Sequence, residues 1–243
     1  MEALSDAAEE YLERVYWLYE AGIERTQANL ARALGVSQPS ASEMLRRLLD
    51  EGLLSRDERK LIHFTERGHE AAARIVARHR TVEAYLSKVM GIPWDEVHEE
   101  AHAMEHSISP RLEAKMLDMV GDVRTCPHGH PIGDYPREPG EPLTAVAAGS
   151  EVTVLRLENE DVDILHEFKR RGLEPGHAYR VEWRDGEAAT TTLAGPGGEL
   201  TLSDRLAQTV SVRVDERGDG PVSTLTAGTP AQMQLLGQSD WGM

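Results

Sequence analysis

Hydrophobic residues recur every three or four positions from Leu4 to Tyr19, whereas Glu10 and Glu13 fall on a different, polar face. This spacing predicts an amphipathic helix. A second helix is predicted from Gln27 to Leu34, and a third begins near Pro39, because proline suits a first helical turn. Helix, tight turn and helix form the arrangement typical of helix-turn-helix DNA-binding proteins.

Two short β-prone runs, Leu53–Ser55 and Leu61–Phe64, follow this segment and are separated by a charged turn. They predict a small hairpin, or wing. Helical periodicity then returns, with an apolar face from Ile75 to Met90. Further helices are expected from about Trp94 to Ser107 and from Pro110 onward, so this part of the chain is predicted to be a helical domain or a dimer interface.

Proline and glycine dominate from Cys126 to Pro142, which predicts a domain boundary. Strand-like runs and one short helix, Val162 to Arg170, then indicate a small β-barrel. The fold class is thus mainly α with a small β domain. The predicted division is a winged-helix domain at 1–73, a helical metal-binding and dimerisation domain at 74–143, a β domain at 144–217 and a flexible tail at 218–243.

The net charge of −16 argues against a nucleic-acid partner when it is taken alone. Residues 26–67, however, carry seven basic against six acidic side chains, so the acidity lies mostly outside the helix-turn-helix. No apolar run reaches the ~18 residues that a membrane helix needs. The acidic start lacks the features of a secretory signal, and one cysteine cannot form an internal disulfide, so we expect a cytoplasmic protein without a membrane partner.

Four potential metal ligands share one stripe of a single predicted helix: His98, His102, Glu105 and His106. His79 and Glu83 lie one turn apart on the preceding helix, and Glu10 and Glu13 add two carboxylates on the first. Together they suffice for about two divalent ions per subunit. The competing interpretation is that Glu10 and Glu13 belong to a solvated face and that the acidic helix is merely a soluble one.

Carboxylate and imidazole ligands without thiolate suit Mn²⁺, Fe²⁺, Co²⁺ or Zn²⁺, and Mn²⁺ is the first choice. Fe²⁺ is the alternative, while Co²⁺, Zn²⁺ or Cd²⁺ are expected to substitute in vitro. The sequence Cys126-Pro127-His128-Gly129-His130 resembles a metal-binding knuckle. It is discounted because no second ligand pair follows it.

The second helix of the helix-turn-helix opens with short or flexible hydrogen-bonding residues that suit base edges in the major groove. These are Ser37, Gln38, Pro39, Ser40 and Ser42. Basic residues nearby are predicted to hold phosphates, namely Arg46, Arg47, Arg56, Arg59 and Lys60. The competing interpretation is a small helical module that does not bind DNA.

Several ordered motifs together resemble the diphtheria toxin repressor and manganese transport regulator family of metal-dependent transcriptional repressors. They are Ser5 to Glu13, the helix-turn-helix through Gly52-Leu53, Arg78-His79-Arg80 with Glu83, Val97 to His106, and Cys126-Pro127-His128-Gly129. The resemblance covers nearly the whole chain to about residue 215. It implies a winged helix, a helical dimerisation domain and an SH3-like (FeoA-like) C-terminal domain. It also implies a homodimer on a palindromic double-stranded operator that controls metal-ion transport genes.

The resemblance places Glu10, His102, Glu105 and His106 at the family's primary metal site. It places His79, Glu83 and His98 at an ancillary site, and Glu13 at an additional carboxylate of the manganese branch. Iron-responsive members carry Met and Cys where this chain has Glu10 and His102, so the primary site is similar to the manganese branch. That branch commonly lacks the SH3-like domain. In this chain, the region Asp161 to His166 of that domain offers Asp161 and Asp163 as candidate additional ligands.

The main alternative is a metal-dependent hydrolase, because His98-Glu99-Glu100-Ala101-His102 spells the His-Glu-x-x-His pattern of zinc proteases. A hydrolase would bind one ion with both His98 and His102, whereas the repressor hypothesis assigns them to different ions. An iron-responsive repressor of the same fold is a second alternative. A winged helix that binds RNA or protein is a third, and it would bind without metal. The favoured hypothesis predicts that the protein is not an enzyme and that it has no small-molecule substrate.

Overall fold

The computed structural model describes residues 4–223. They divide into two structural units, and the boundary falls after His79, inside one long helix. The first unit contains three helices, a two-stranded hairpin and the start of the long helix. Their bounds are α1 Asp6–Glu20, α2 Gln27–Ala33, α3 Gln38–Asp50, β1 Leu54–Arg56, β2 Ile62–Phe64 and α4 Glu66–Lys88.

Side-chain caps explain where α2 and α3 begin. The Thr26 hydroxyl accepts a hydrogen bond from the backbone N–H of Asn29 at 3.1 Å, and the Ser37 hydroxyl accepts one from Ser40 at 3.3 Å. Gly35, at φ +64°, makes the tight turn between these two helices. The predicted helix-turn-helix is confirmed, and β1 pairs antiparallel with β2 to form the predicted wing.

The core of the first unit is built from the apolar faces that the periodicity predicted. Leu12, Val15, Leu30 and Leu45 are fully buried there. For Glu13, the competing interpretation of a solvated face is wrong, because its side chain is also fully buried. A buried carboxylate requires a compensating partner, so Glu13 is more than a surface charge.

In the second unit, the helical part packs α4 against α5 Val97–Glu105 and α6 Pro110–Val120. Val82, Leu86, Ala101 and Met116 are among the buried residues of this core. The helix α4 ends at Lys88, so Val89 and Met90, which were predicted to continue its apolar face, are 40% and 60% exposed. The helix α5 is shorter than the predicted range from Trp94 to Ser107.

The remainder of the second unit is a six-stranded antiparallel sheet with order β3-β8-β4-β5-β6-β7. A 3₁₀ turn at Leu143–Ala145 and two helices complete this region. The bounds are β3 Glu141–Pro142, β4 Glu151–Leu157, α7 Val162–Arg170, β5 Ala178–Asp185, β6 Thr190–Gly195, β7 Gly198–Ser203, α8 Asp204–Ala207 and β8 Val210–Glu216. Phe168 and Tyr179 are the largest side chains buried in its core. The predicted small SH3-like β domain is thereby confirmed.

The loop after α6 joins the helical part of this unit to the sheet. The backbone N–H of Leu157 donates to the His128 carbonyl at 3.0 Å. Gly129 has φ +93°, and a Cβ atom there would lie 1.8 Å from the Leu155 carbonyl oxygen. A side chain cannot fit at that position, so the close approach of loop and strand requires glycine.

The segment predicted as a flexible tail begins with residues that are hydrogen-bonded to the sheet domain. The Gly220 N–H donates to the Ala148 carbonyl at 3.1 Å, and the Ser223 N–H donates to the Thr144 carbonyl at 3.2 Å. Residues 224–243 of the predicted tail lie outside the described residues. Within the described part of the chain, no helix combines the length and apolarity needed to cross a bilayer.

Candidate metal centres and DNA interface

In the first unit, Glu13 meets His79. The Glu13 Oε1 atom lies 3.7 Å from His79 Nδ1, and each side chain is 1% exposed. The indole ring of Trp17 contacts the imidazole of His79 with ring centroids 5.4 Å apart. Glu10, one turn earlier on α1, is 24% exposed and lies 3.4 Å from Arg14. The first unit therefore presents two carboxylates and one imidazole of the predicted metal ligands.

In the second unit, α5 brings three predicted ligands of the primary site together. Glu105 is fully buried, and its Oε1 atom lies 3.0 Å from His102 Nδ1 and 3.7 Å from His106 Nε2. These distances follow from positions one turn apart on the helix or adjacent at its end. A buried carboxylate flanked by two imidazoles supplies part of the ligand set of a divalent-metal site.

A second group of ligands, which we call the Glu83 cluster, consists of Glu83, His98, His128 and Glu160. Glu83 Oε1 lies 3.0 Å from His98 Nδ1 and 3.2 Å from His128 Nδ1. Glu160 Oε2 lies 3.1 Å from His98 Nδ1. Helix α4, helix α5, the loop after α6 and the segment before α7 each contribute one of the four side chains.

Carboxylates and imidazoles in the Glu83 cluster stabilise each other's charged forms. Burial opposes the charged form of His128, but the nearby carboxylates of Glu83 and Glu160 and a hydrogen bond with Cys126 raise the pKa of His128 well above its usual value. Burial and the charge of Glu83 oppose ionisation of Glu160, yet the imidazoles of His130 and His128 lower the pKa of Glu160. A proton on His128 thus balances negative charge on the carboxylates of Glu83 and Glu160.

Cys126 lies at the edge of this cluster. Its Sγ atom is 4.0 Å from His128 Nδ1, and its side chain is buried. Burial and the negative charge of Glu83 raise the pKa of the Cys126 thiol to about 11. One ligand atom from each of Glu83, Cys126, His128 and Glu160 lies within 4.8 Å of the others. Donor atoms this close together fit a single divalent cation after small side-chain rotations.

Two members of the Glu83 cluster, His128 and Glu160, are not among the ligands predicted from the sequence. Asp161 and Asp163, which were predicted as candidate additional ligands, are not among the side chains of the Glu83 cluster. Asp161 caps α7 by accepting a hydrogen bond from the Asp163 N–H at 3.1 Å, and both aspartates are exposed. The carboxylate that this segment contributes to the cluster is that of Glu160, which directly precedes the capping residue Asp161. The signal for His128 is the discounted Cys-Pro-His motif, whose ligand partners come from distant segments and not from a second pair.

The arrangement does not fit the hydrolase alternative. His98 contacts Glu83 and Glu160, whereas His102 contacts Glu105. A His-Glu-x-x-His zinc site requires both histidines on one ion. The two imidazoles belong instead to two separate ligand groups.

The predicted DNA-contacting residues are all exposed. This holds for Ser37, Gln38, Pro39, Ser40, Ser42, Arg46, Arg47, Arg59 and Lys60. Arg47 pairs with Glu51 at 2.7 Å, and Arg59 pairs with Glu24 at 3.1 Å. Exposed pairs of this kind are weak, so both guanidinium groups remain available to phosphates.

Comparison with known proteins gives matches along most of the chain. The family model described as iron dependent repressor, N-terminal DNA binding domain, matches residues 3–61. The model described as iron dependent repressor, metal binding and dimerisation domain, matches residues 65–134. The iron-dependent repressor IdeR of Mycobacterium tuberculosis is 33% identical over 230 residues, which cover 87% of this chain and 99% of that protein. The diphtheria toxin repressor of Corynebacterium diphtheriae is 28% identical with the same coverages.

Solved structures agree with these matches. A manganese-dependent transcriptional repressor in complex with manganese has a TM-score of 0.79 at 32% identity, covering 85% of this chain and 99% of that one. IdeR of T. acidophilum has a TM-score of 0.73 at 29% identity, covering 88% and 100%. The chain therefore belongs to the iron-dependent repressor family, whose members are metal-dependent, DNA-binding transcriptional repressors with a dimerisation domain.

Proposed function

We propose that this protein is a Mn²⁺-activated repressor of metal-ion transport genes, acting as a homodimer on a palindromic operator in the cytoplasm. The observation that carries the choice of metal is the hard character of the ligands. Glu105 with His102 and His106, and Glu83 with His98 and Glu160, combine carboxylates with imidazoles. Such ligands suit Mn²⁺ and Fe²⁺ better than soft ions.

About two ions per subunit follow from two ligand groups. The family resemblance assigns Glu10 with His102, Glu105 and His106 to the primary ion and Glu13 to a further carboxylate. It assigns His79, Glu83 and His98 to the second ion. To the second set we add His128 and Glu160, which lie beside Glu83 and His98. A bound ion supplies positive charge that neutralises carboxylates which otherwise repel one another.

We assign the contacts with DNA to the recognition helix α3 and to the wing. Exposed side chains at the start of α3 reach base edges, while Arg46, Arg47 and the wing residues Arg59 and Lys60 hold phosphates. In a dimer, two recognition helices must match half-sites about 34 Å apart, which makes a palindromic operator the natural target. Metal binding favours the subunit arrangement that fits this spacing.

The hydrolase alternative is wrong, since the family consists of repressors. We propose that the protein has no enzymatic activity and needs no small-molecule substrate. An iron-responsive repressor remains the second candidate, because IdeR of Mycobacterium tuberculosis is named as iron-dependent. The two candidates differ in which ion activates DNA binding at its free cellular concentration.

The test is DNase footprinting on the organism's metal-transporter promoters, with Mn²⁺, with anaerobic Fe²⁺ and with chelator. We expect protection of a palindrome with Mn²⁺ and none with chelator. His106→Ala should lose metal-dependent protection. His177→Ala is the matched control, because His177 is exposed, lies 3.5 Å from Glu174 and belongs to none of the clusters of potential metal ligands among the described residues. Equal protection with Mn²⁺ and with chelator would refute the proposal, and protection with Fe²⁺ alone would favour the iron-responsive candidate.

A further inference from the structure

A chain of polar side chains links the wing to the recognition helix within the first unit. Arg56, at the end of β1, donates from Nη2 to Gln27 Oε1 at 2.9 Å. Gln27, the first residue of α2, lies with Nε2 at 3.4 Å from Gln38 Oε1 and at 3.4 Å from the Gln38 backbone carbonyl. All three side chains are on the surface that carries the predicted DNA contacts, although Gln27 itself is half-buried.

The hydrogen-bond directions along this chain are fixed by its charged end. A guanidinium has only donors, so it must meet the carbonyl oxygen of the Gln27 amide. The NH₂ group of Gln27 is thereby turned toward Gln38, where it is shared between two acceptors. The donor from Arg56 also polarises the Gln27 amide, which strengthens its N–H as a donor.

The same logic then orients Gln38. Its side-chain oxygen faces the NH₂ group of Gln27, so its own NH₂ group points away from Gln27. Among residues 4–223, no side chain or backbone group accepts a hydrogen bond from Gln38 Nε2 in the structure. Gln38 is the first residue of α3, which is where recognition helices contact bases.

We propose that Gln27 is a positioning residue that makes Gln38 a hydrogen-bond donor toward the major groove. This inference rests on the proposed DNA-binding function. A free glutamine reads adenine with both edges of its amide, accepting from N6 and donating to N7. A Gln38 whose oxygen is engaged by Gln27 offers donors only. It favours bases that present acceptors without a neighbouring donor, which are guanine, through O6 and N7, and thymine, through O4.

The proposal makes distinct predictions for two substitutions of one residue. Gln27→Ala frees both edges of the Gln38 amide, so adenine becomes an acceptable base. Gln27→Glu can still accept from Arg56 but has no donor for Gln38, and its carboxylate attracts the NH₂ group of Gln38. The Gln38 oxygen then faces the DNA, and the preferred bases become adenine and cytosine, which carry exocyclic donors.

The experiment is selection of a randomised duplex library by the full-length Mn²⁺-loaded protein and its variants. The base read by Gln38 is defined as the position whose preference is lost in Gln38→Ala. At that position we expect guanine or thymine for the unmodified protein. Gln27→Glu should shift the ratio of donor to acceptor bases by about fivefold or more, which corresponds to one well-formed base contact.

Arg47→Ala is the control, because removing a phosphate-binding group weakens binding to all sequences alike and leaves base preference unchanged. Unchanged preference at the Gln38 position in both Gln27 variants would overturn the inference while leaving the proposed function intact. If the unmodified protein enriches no sequence at all, the proposed function fails first. Thermal unfolding of each variant separates loss of preference from loss of fold, and Gln27→Glu serves where Gln27→Ala is unstable.

Discussion

Glu160 provides the sharpest test of the Glu83 cluster, because it is the candidate ligand that only the folded structure identifies. Its carboxylate lies 3.1 Å from His98 Nδ1 and 3.2 Å from His130 Nε2. The substitution Glu160→Gln keeps the size of the side chain and removes its negative charge. We expect it to weaken metal binding at this cluster while the ligand group around Glu105 stays intact.

The magnitude follows from ligand linkage. An ion at 100 times its dissociation constant stabilises the folded protein by about 2.7 kcal/mol. Loss of one of the two carboxylates is expected to lower affinity about 100-fold, the upper end for changes around a metal site. The same ion concentration then contributes only about 0.4 kcal/mol. A difference of about 2.3 kcal/mol corresponds to a melting temperature about 5–9 °C lower in a unit of roughly 150 residues.

The assay is differential scanning calorimetry of each variant with and without Mn²⁺, so that each protein is compared with its own metal-free form. The matched control is Asp163→Asn, which removes an exposed carboxylate three residues away on the same segment. The control should keep the full metal-induced shift. A normal shift in Glu160→Gln together with a reduced one in Asp163→Asn would refute the assignment and restore the prediction made from the sequence.

Three further predictions concern the sheet domain and the recognition helix. Phe168→Ala empties the centre of the sheet-domain core and should cost about 3–5 kcal/mol, measured by urea denaturation. Tyr179→Phe removes the hydroxyl that donates to the Gly172 carbonyl at 2.8 Å and accepts from the Glu174 N–H at 3.0 Å, and it should cost about 1–2 kcal/mol at neutral pH. Burial raises the pKa of Tyr179, so its contribution is complete below about pH 10 and is lost as the pH rises further; unfolding of the variant should show a shallower alkaline dependence. Ser37→Ala removes the cap of α3 and should cost about 1 kcal/mol, whereas Ser40→Ala keeps the cap.

Local patterns in the sequence are sufficient to predict most of the elements. The capping serine before α3, the glycine in the preceding turn and the spacing of apolar residues all act within a few positions of one another. Helix α7, Val162–Arg170, has the bounds that its periodicity predicted. Interactions of such short range are encoded directly in the order of residues, so they require no knowledge of the tertiary structure.

Burial of polar residues is harder to predict. Glu13 follows the polar face of α1 in sequence, yet it is fully buried beside His79, which lies 66 positions further along the chain. Helical periodicity identifies which residues share a face, but it treats every carboxylate as solvated. A partner brought close by tertiary packing decides whether a carboxylate is a surface charge or a buried ligand.

The Glu83 cluster shows the same limit for the candidate site. Glu83, His98, His128 and Glu160 come from four segments, and only Glu83 and His98 belong to helices whose pattern suggests ligands. The sequence argues against His128 as a ligand, because no second ligand pair follows the Cys126-Pro127-His128 motif. The spacing rule for zinc knuckles applies to ligands supplied by one local segment. It does not apply here, because the sheet domain supplies the carboxylate of Glu160.

Cys126 offers a test of why a site with mainly hard ligands keeps a thiol at its edge. The pKa of this thiol is raised to about 11, so the metal-free protein carries a neutral thiol at neutral pH. A hard ion such as Mn²⁺ gains little from displacing that proton, whereas soft Cd²⁺ gains a strong thiolate bond. Cys126→Ser should therefore leave Mn²⁺ affinity within about threefold and lower Cd²⁺ affinity by about tenfold or more, measured by competition titration.

The thiolate-to-metal absorption of the Cd²⁺ complex provides an independent readout, and it should disappear in Cys126→Ser. Cys126→Ala is the companion variant, because it removes the polar group altogether and should behave in the same way with Cd²⁺. Equal losses for Mn²⁺ and Cd²⁺ would mean that the residue supports the fold of the loop and not the choice of ion. Selective loss for Cd²⁺ would identify Cys126 as the group through which the cluster binds a soft ion, while the carboxylates of Glu83 and Glu160 suit Mn²⁺.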